Sequence, residues 1–355
     1  MPNPAKSHIL FIYQGRSSFV KKDIEILSAA YRVDELMFYP YPKWKTIIKF
    51  VQQFFSLLFG LHKYNLVIAQ FAGYHTLLPA IFCKIYGKPF LIICGGTESA
   101  KFESIPYGNF AKKYLGLVTK WSVQLATHLA PKHQSLIQCN YNYDVSGYPQ
   151  QGLQYLIKNF KTPYTVIENG YNAHQFNCIA TKQSNTFITV AAGLEIENTI
   201  PLKGIDLIIA AAPLFAHCTF YIVGVPEGFV LSQLPNNIKC LPTMPNDALI
   251  KHYSAATFYL QLSLSEGFPN AICEAMLCEC IPIGSAVNAI PDIIADTGYV
   301  LLKRDVNALA EIIQQALKEA SPTKGRQARH RIEQNFSAAH RSKKLLALVQ
   351  QLTHQ

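Results

Sequence analysis

Nowhere in the chain do about 18 apolar residues run without interruption, the length a bilayer-spanning helix requires, so no transmembrane segment is expected. The opening stretch MPNPAKSHILFIYQGRSS holds an apolar run of strand length only, with no small-residue cleavage site behind it, and no signal peptide is expected. No G-x-G-x-x-G follows any apolar run, which places a nicotinamide oxidoreductase last among the enzyme classes. The nine cysteines (Cys83, Cys94, Cys139, Cys178, Cys218, Cys240, Cys273, Cys278 and Cys280) are odd in number and sit mostly inside apolar runs, so they read as reduced, buried thiols. Cys278 and Cys280 form a C-x-C, but no second pair stands at zinc-site spacing, and no metal site is expected. Charge is scarce as well: 15% of the 355 residues are charged against 50% apolar, which argues against disorder and supplies material for two buried cores.

The few charges are unevenly shared. Residues up to Ile167 carry 18 Lys and Arg against 7 Asp and Glu, a net +11, and the remainder carries 14 against 15, a net −1. A basic half beside a neutral one points to an anionic partner of the first half alone. Short apolar runs alternate with helical patterns throughout, which argues for parallel, doubly wound sheets. The first set of expected strands is Ile9 to Tyr13, Val33 to Phe38, Leu66 to Gln70, Phe90 to Cys94, Thr127 to Ala130 and Tyr164 to Ile167. The second is Phe187 to Ala191, Phe220 to Val223, Ile238 to Leu241, Phe258 to Leu262, Ile281 to Gly284 and Tyr299 to Leu302. Ligands of such sheets gather at the carboxyl ends of strands, so the loops Gln14 to Ser18, Phe71 to His75 and Gly95 to Ser99 are candidates.

One stretch organises the second half: SLSEGFPNAICEAMLCECIPIG, Ser263 to Gly284. It reads as a strand end, a Gly/Pro turn, an amphipathic helix (Ala271, Ile272, Ala275, Met276) and a buried strand restart. Glu266 and Glu274 bracket the turn in an E-x7-E spacing, which a kinked turn and ~1.5 Å of rise per helical residue place on the order of 10 Å apart, about the reach of a sugar diphosphate. Between them Pro269 suits a first helical position, and the amides of Phe268, Asn270 and Ala271 open an anion-binding helix terminus. The plainer alternative keeps Glu266 as a solvated turn residue and Glu274 as an exposed helix position.

This stretch resembles the E-x7-E signature of the retaining, nucleotide-sugar-dependent glycosyltransferases of the family-four type. The resemblance implies an α/β GT-B fold, two Rossmann-like doubly wound parallel-sheet domains facing a central cleft. It implies an acceptor-side domain over residues 1–167, a donor domain over 168–334, and a final helix, 335–355, crossing back to the first. The domain change falls at VIENGYNAHQF, Val166 to Phe176, and the tail NFSAAHRSKK resembles the family's last helix. Glu266 would then lie by the transferred sugar and Glu274 on the nucleotide ribose, while Gly267, Phe268, Asn270 and Ala271 would take the diphosphate. Lys203 and Gly204 in LKGIDLIIAAAPLF resemble the family's Lys-Gly element, with Lys203 as a phosphate cation. YIVGVPEG, Tyr221 to Gly228, resembles the strand and turn under the nucleotide.

Two departures stand out. The Arg expected after the first strand of this half is missing, with Gly193 or Leu194 in its place in VAAGLEIEN. Arg16, beside Gly15 in the first βα turn, is the candidate replacement, and Gly15 lets a ligand approach the backbone. The His often found in the third loop is replaced by Gly95 or Gly96, leaving His75, Thr97 and Glu98 as possible sugar or acceptor contacts. The expected activity is a metal-independent retaining transfer, with a nucleotide-diphosphate sugar as donor substrate and no cofactor. The alternatives are a nucleotide-sugar epimerase and a non-catalytic GT-B partner subunit.

The segment Lys43 to Lys63, KWKTIIKFVQQFFSLLFGLHK, carries an apolar arc of roughly 200°, about twice what packing on one sheet needs. It is either a helix buried on two sides or one lying in a membrane interface, Lys and Trp at the boundary. With the basic first half, this suggests an anionic membrane surface and a glycan or lipid-linked acceptor, such as a growing surface polysaccharide or glycolipid. Nucleic acid is not among the expected partners. The expected location is the cytoplasm, peripheral on the inner face of the cell membrane.

Overall fold

The computed structural model describes residues 7–39, 44–145, 147–231 and 234–354. The chain forms two compact units: Met1–Cys139 with Gln150–Asn169 and Ala339–Gln355, and Asn140–Pro149 with Gly170–Ala338. One change of unit therefore falls between Asn169 and Gly170, and residues 140–149 are counted with the second unit although they lie within the first half of the sequence.

The first unit is built on a five-stranded parallel sheet of β1 (His8–Tyr13), β2 (Arg32–Met37), β3 (Leu66–Gln70), β4 (Phe90–Cys94) and β5 (His128–Pro131), in the order β2-β1-β3-β4-β5. The central strands β3 and β4 are buried at every position, which is why they read as continuous apolar runs instead of alternating ones. Helices α2 (Lys45–Gly60), α3 (Tyr74–Ile85) and α4 (Lys113–Leu125) pack on one face through Leu57, Ala80, Phe82, Cys83 and Val123. The other face is covered by α1 (Ser18–Ala30), through Val20, Ile24 and Leu27, and by the chain's last helix, through Leu345, Leu348, Val349 and Leu352. That last helix is held by a buried ion pair, Arg341 Nη2 donating to Asp23 Oδ1 at 2.7 Å and Oδ2 at 2.8 Å.

The expected strand Tyr164 to Ile167 does not form. The run lies beside β5, with Thr165 N–H donating to Leu129 O and Ile167 N–H to Pro131 O, but it reaches only one isolated bridge, Leu129 with Tyr164. Pro163 just ahead has no N–H to extend the ladder.

After two short strands, β6 (Cys139–Asn140) and β7 (Gln150–Gln151), and the short helix α5 (Leu153–Leu156), the second unit adds a six-stranded parallel sheet. Its strands are β8 (Gln183–Val190), β9 (Thr219–Val223), β10 (Ile238–Leu241), β11 (Ala256–Gln261), β12 (Ile281–Ser285) and β13 (Tyr299–Leu301), ordered β10-β9-β8-β11-β12-β13. Phe187 pairs in register with both Phe220 and Phe258, and the three rings stack across the sheet with centroids 4.8 and 4.6 Å apart. Its helices include α6 (Thr199–Leu202), α7 (Ile205–Ala211), α8 (Asn246–Ala255), α9 (Asn270–Leu277), α10 (Ile290–Ile294), α11 (Val306–Glu319) and α12 (Pro322–Asn335), ahead of the final helix α13 (Ala338–Thr353).

Candidate functional site

In the second unit the chain leaves β11 at Gln261, crosses an eight-residue loop and enters α9 at Asn270. Pro269 is the residue before the helix, extended at φ −68° and ψ 127°, and not its first helical residue as the sequence suggested. The first four N–H groups of α9 have no partner inside the helix, so its N-terminus is an anion site in the geometric sense. Ile272, Cys273, Ala275, Met276 and Leu277 are buried, which fixes the roll of the helix and leaves Asn270, Ala271 and Glu274 half-buried. Gly267 and Phe268 are buried in the loop, and the Phe268 ring packs on Phe336 at 5.2 Å.

Glu266 sits in this loop with its side chain 14% exposed. Its Oε1 accepts from Lys203 Nζ at 2.6 Å, Ser263 Oγ at 2.9 Å and Gln261 Nε2 at 3.3 Å. Its backbone N–H donates to Asn288 Oδ1 at 3.1 Å. Gln261 is in turn held by the buried Tyr259, whose hydroxyl donates to Gln261 Oε1 at 3.1 Å. The solvated-turn alternative for Glu266 is thereby removed: three donors converge on one oxygen and fix the side chain. Gln261, Ser263 and Asn288 were not singled out in the sequence. Gln261 and Ser263 stand two residues apart where β11 runs out, so both can project to the same side, but only the fold brings Asn288 up to them.

Lys203 follows α6, and Gly204 opens α7 with φ +70°. A Cβ on Gly204 would lie 2.2 Å from Leu262 O, so backbone packing alone demands glycine here. The turn therefore brings Lys203 to Glu266. No Lys or Arg occurs in residues 191–202: Leu194 is buried, and Glu195 and Glu197 are exposed.

The first unit carries the remaining candidates. Gly15, Arg16 and Ser17 line a pocket of about 440 Å³ at the carboxyl ends of β1 and β3. Arg16 Nη2 is bonded to Glu35 Oε1 at 3.1 Å, and Glu35 Oε2 accepts from the Tyr13 hydroxyl at 2.6 Å. Burial, with that bond behind it, pushes Tyr13 up to about 12.

His75 is buried, contrary to a role as a surface contact for sugar. Its Nε2 lies 3.0 Å from Gln70 O, and desolvation lowers it to about 4, so it is neutral at pH 7. Glu98 is equally buried, and its carboxylate accepts from the N–H groups of Gly95 at 2.6 Å and Gly96 at 3.0 Å, a turn-fixing task that accounts for it. Burial nonetheless raises its pKa. Thr97 is exposed, its hydroxyl 3.5 Å from that of Tyr107. A Cβ at Gly95 would fall 1.9 Å from the Phe71 ring, so in this structure a larger side chain at that place is replaced by Phe71. Among the described residues no three His, Cys, Asp or Glu side chains gather as a metal site requires.

Residues 188–319, which contain Lys203, Glu266 and Glu274, match the family described as "Glycosyl transferases group 1". D-inositol 3-phosphate glycosyltransferase of Mycolicibacterium smegmatis is 28% identical over 162 residues, 41% of this chain, and the match spans only 37% of that relative's length. Over essentially the whole chain the fold resembles sucrose-phosphate synthase from Thermosynechococcus elongatus, with a TM-score of 0.74 at 16% identity, covering 98% of this chain and 99% of that one. Anabaena HepE in complex with UDP and glucose superposes with a TM-score of 0.67 at 14% identity, over 97% of this chain and 100% of the other.

Proposed function

We propose that this chain, which carries a glycosyltransferase group 1 domain within a GT-B fold of two Rossmann-like units, transfers a sugar from a nucleotide-diphosphate donor to a glycan or lipid-linked acceptor with retention. The observation that carries the reading is the Lys203–Glu266 contact at 2.6 Å in the loop that leads into the N-terminus of α9. As charge develops on the leaving diphosphate, the helix terminus and the Lys203 ammonium stabilise it without a metal ion. Glu266, held by Lys203, Ser263 and Gln261, positions the transferred sugar for attack from the same face, and Glu274 takes the ribose. The structure solved with UDP and glucose supports a nucleotide sugar as the donor class.

The acceptor reading rests on α2. Trp44, Ile47, Val51, Phe55 and Phe59 remain exposed, Ile47 by 72% and Phe59 by 68%, so the helix is buried on one side only. Lys43 lies outside the described residues. No described helix is long and apolar enough to cross a membrane. The first unit holds 21 Lys and Arg against 7 Asp and Glu, a net +14, and the second 11 against 15, a net −4. An apolar helix face on the basic unit suits peripheral attachment to an anionic leaflet, at the cytoplasmic side, where a lipid-linked acceptor would be met.

A non-catalytic partner subunit is the second reading, favoured by the absence of a cation in residues 191–202 and by Phe71 standing over Gly95. A screen of purified chain against UDP-, GDP- and ADP-sugars, first by thermal shift and then by donor turnover, decides. A stabilising nucleotide whose sugar conjugate is turned over supports transfer; binding without turnover in the presence of acceptor lipid supports the second reading. No stabilisation by any nucleotide sinks both.

A further inference from the structure

The residues on either side of Pro269, where the loop of Glu266 turns into α9, are each held by a residue near one end of the segment Gly170–Ala338 of the second unit. Tyr171, at the start of that segment, is 3% exposed, and its hydroxyl donates to Asn270 Oδ1 at 2.8 Å across 99 residues of sequence. Phe336, near its end, packs its ring on that of Phe268, with centroids 5.2 Å apart and the planes at 68°. The two ends of the segment are bonded to each other. Tyr171 N–H donates to Phe336 O and Ala338 N–H to Tyr171 O, both at 2.9 Å, and Tyr171 bridges Ser337 in parallel. The backbone of Tyr171 is thus fixed on both sides and its ring is buried. A buried tyrosine hydroxyl requires a partner, and Asn270 is one that this geometry supplies.

That partnership bears on the chemistry of the helix terminus. Asn270 is the first residue of α9, and Pro269 at the N-cap supplies no side-chain acceptor. An asparagine in this position can turn its carbonyl oxygen onto the amides of its own helix and compete with any anion for them. Here Oδ1 is engaged by Tyr171 and so is withheld from those amides, and the two-donor Nδ2 lies on the far side of the side-chain amide from the hydroxyl. The field of a helix terminus falls off within the first turn, so the orientation of this residue weighs more on a bound diphosphate than that of residues further along α9.

We propose that Tyr171 is a positioning residue for the donor diphosphate: its hydroxyl holds the Asn270 carbonyl oxygen away from the α9 terminus, so that hydrogen-bond donors and not a lone pair meet the phosphate oxygens. Tyr171 acts through Asn270 and is not a catalytic residue. The proposal rests on the reading of α9 as the donor terminus and adds to it a residue outside the E-x7-E stretch. The test is Tyr171→Phe, which deletes one oxygen and keeps the ring and the backbone bridge. Calorimetry on the full chain measures UDP, GDP and ADP, and competition measures uridine, guanosine and adenosine.

For the diphosphate that binds best, affinity should fall about five- to tenfold in Tyr171→Phe, the worth of one buried hydrogen bond, while its nucleoside binds as it does to the wild type. In a protein already carrying Asn270→Ala, the same change should alter diphosphate affinity by less than about twofold, because the residue it acts through is gone. Wild-type diphosphate affinity in Tyr171→Phe, equal weakening of nucleoside and diphosphate, or the full loss repeated in the Asn270→Ala background overturns the proposal. The second of these outcomes would reduce Tyr171 to a packing role. A wild-type chain that binds no diphosphate more tightly than its nucleoside removes α9 as the donor terminus, and with it both the transferase reading and this proposal.

Discussion

Replacing Arg341 by Met should destabilise the first unit by about 3–5 kcal/mol, the cost of leaving a buried charge without its partner. The geometry explains why the figure is large. Asp23 and Arg341 side chains are 1% and 5% exposed, and the guanidinium donates to Asp23 three times, from Nε at 2.9 Å and from Nη2 at 2.7 and 2.8 Å. Its Nη1 also donates to Ile167 O at 3.0 Å and Glu168 O at 2.7 Å, so two carbonyls lose a donor as well. Asp23→Leu alone should cost a similar amount, since it strands the guanidinium. The double variant Asp23→Leu/Arg341→Met removes both charges together and retains only the loss at the carbonyls, about 1 kcal/mol each, so it should be less destabilised than either single change. Urea unfolding followed by circular dichroism and intrinsic fluorescence reads the cycle. With a slope of ~2 kcal/mol/M, each single variant should lower the first unit's midpoint by on the order of 2 M, and the double by about half of that. The coupling should survive high salt, because screening reaches a buried pair weakly. Single variants that lose less than about 1 kcal/mol, or a double variant that loses the sum of the two, would show that the pair does not anchor α13.

Lys203→Ala should lower transfer on the order of 10²-fold, with weaker nucleotide-diphosphate binding by calorimetry; wild-type kinetics would remove Lys203 from the diphosphate. Glu274→Ala should weaken nucleotide binding while Glu266→Gln mainly lowers turnover at unchanged donor affinity, and the reverse pattern would exchange their roles. Because burial lowers His75 from 6.5 to about 4, the unfolded chain binds its proton first as pH falls; the resulting stability of about 3 kcal/mol is present above pH 6.5 and lost between 6.5 and 4. His75→Asn should therefore flatten the acid limb of a midpoint-versus-pH curve, and an unchanged slope would mean that His75 titrates normally. The chain should sediment with anionic vesicles at low salt, and Ile47→Asp/Phe59→Asp should reduce this at least tenfold without loss of fold, both residues being exposed; equal behaviour of variant and wild type would detach α2 from the membrane.

The strands were legible because a doubly wound sheet writes itself locally: Leu66–Gln70, Phe90–Cys94 and Ile238–Leu241 are apolar runs of strand length with turn residues at their ends, and they stand as the periodicity placed them. The strand, turn and helix around Glu266 and Glu274 were legible for the same reason, down to a one-residue displacement at Pro269. Contacts between distant segments were not. Lys203 and Glu266 are 63 residues apart and Asp23 and Arg341 318, and no local pattern encodes which carboxylate a given cation will meet. His75 and Glu98 looked equally available to a ligand in the sequence; burial made one a neutral core imidazole and the other a cap on its own loop. Phe71 at Gly95 follows from where neighbouring strand ends converge. Periodicity and turn chemistry act over a few residues, and so they determined the elements. Desolvation and pairing are decided by whatever the packed sheet places alongside, and so only the tertiary structure assigned the polar groups their partners.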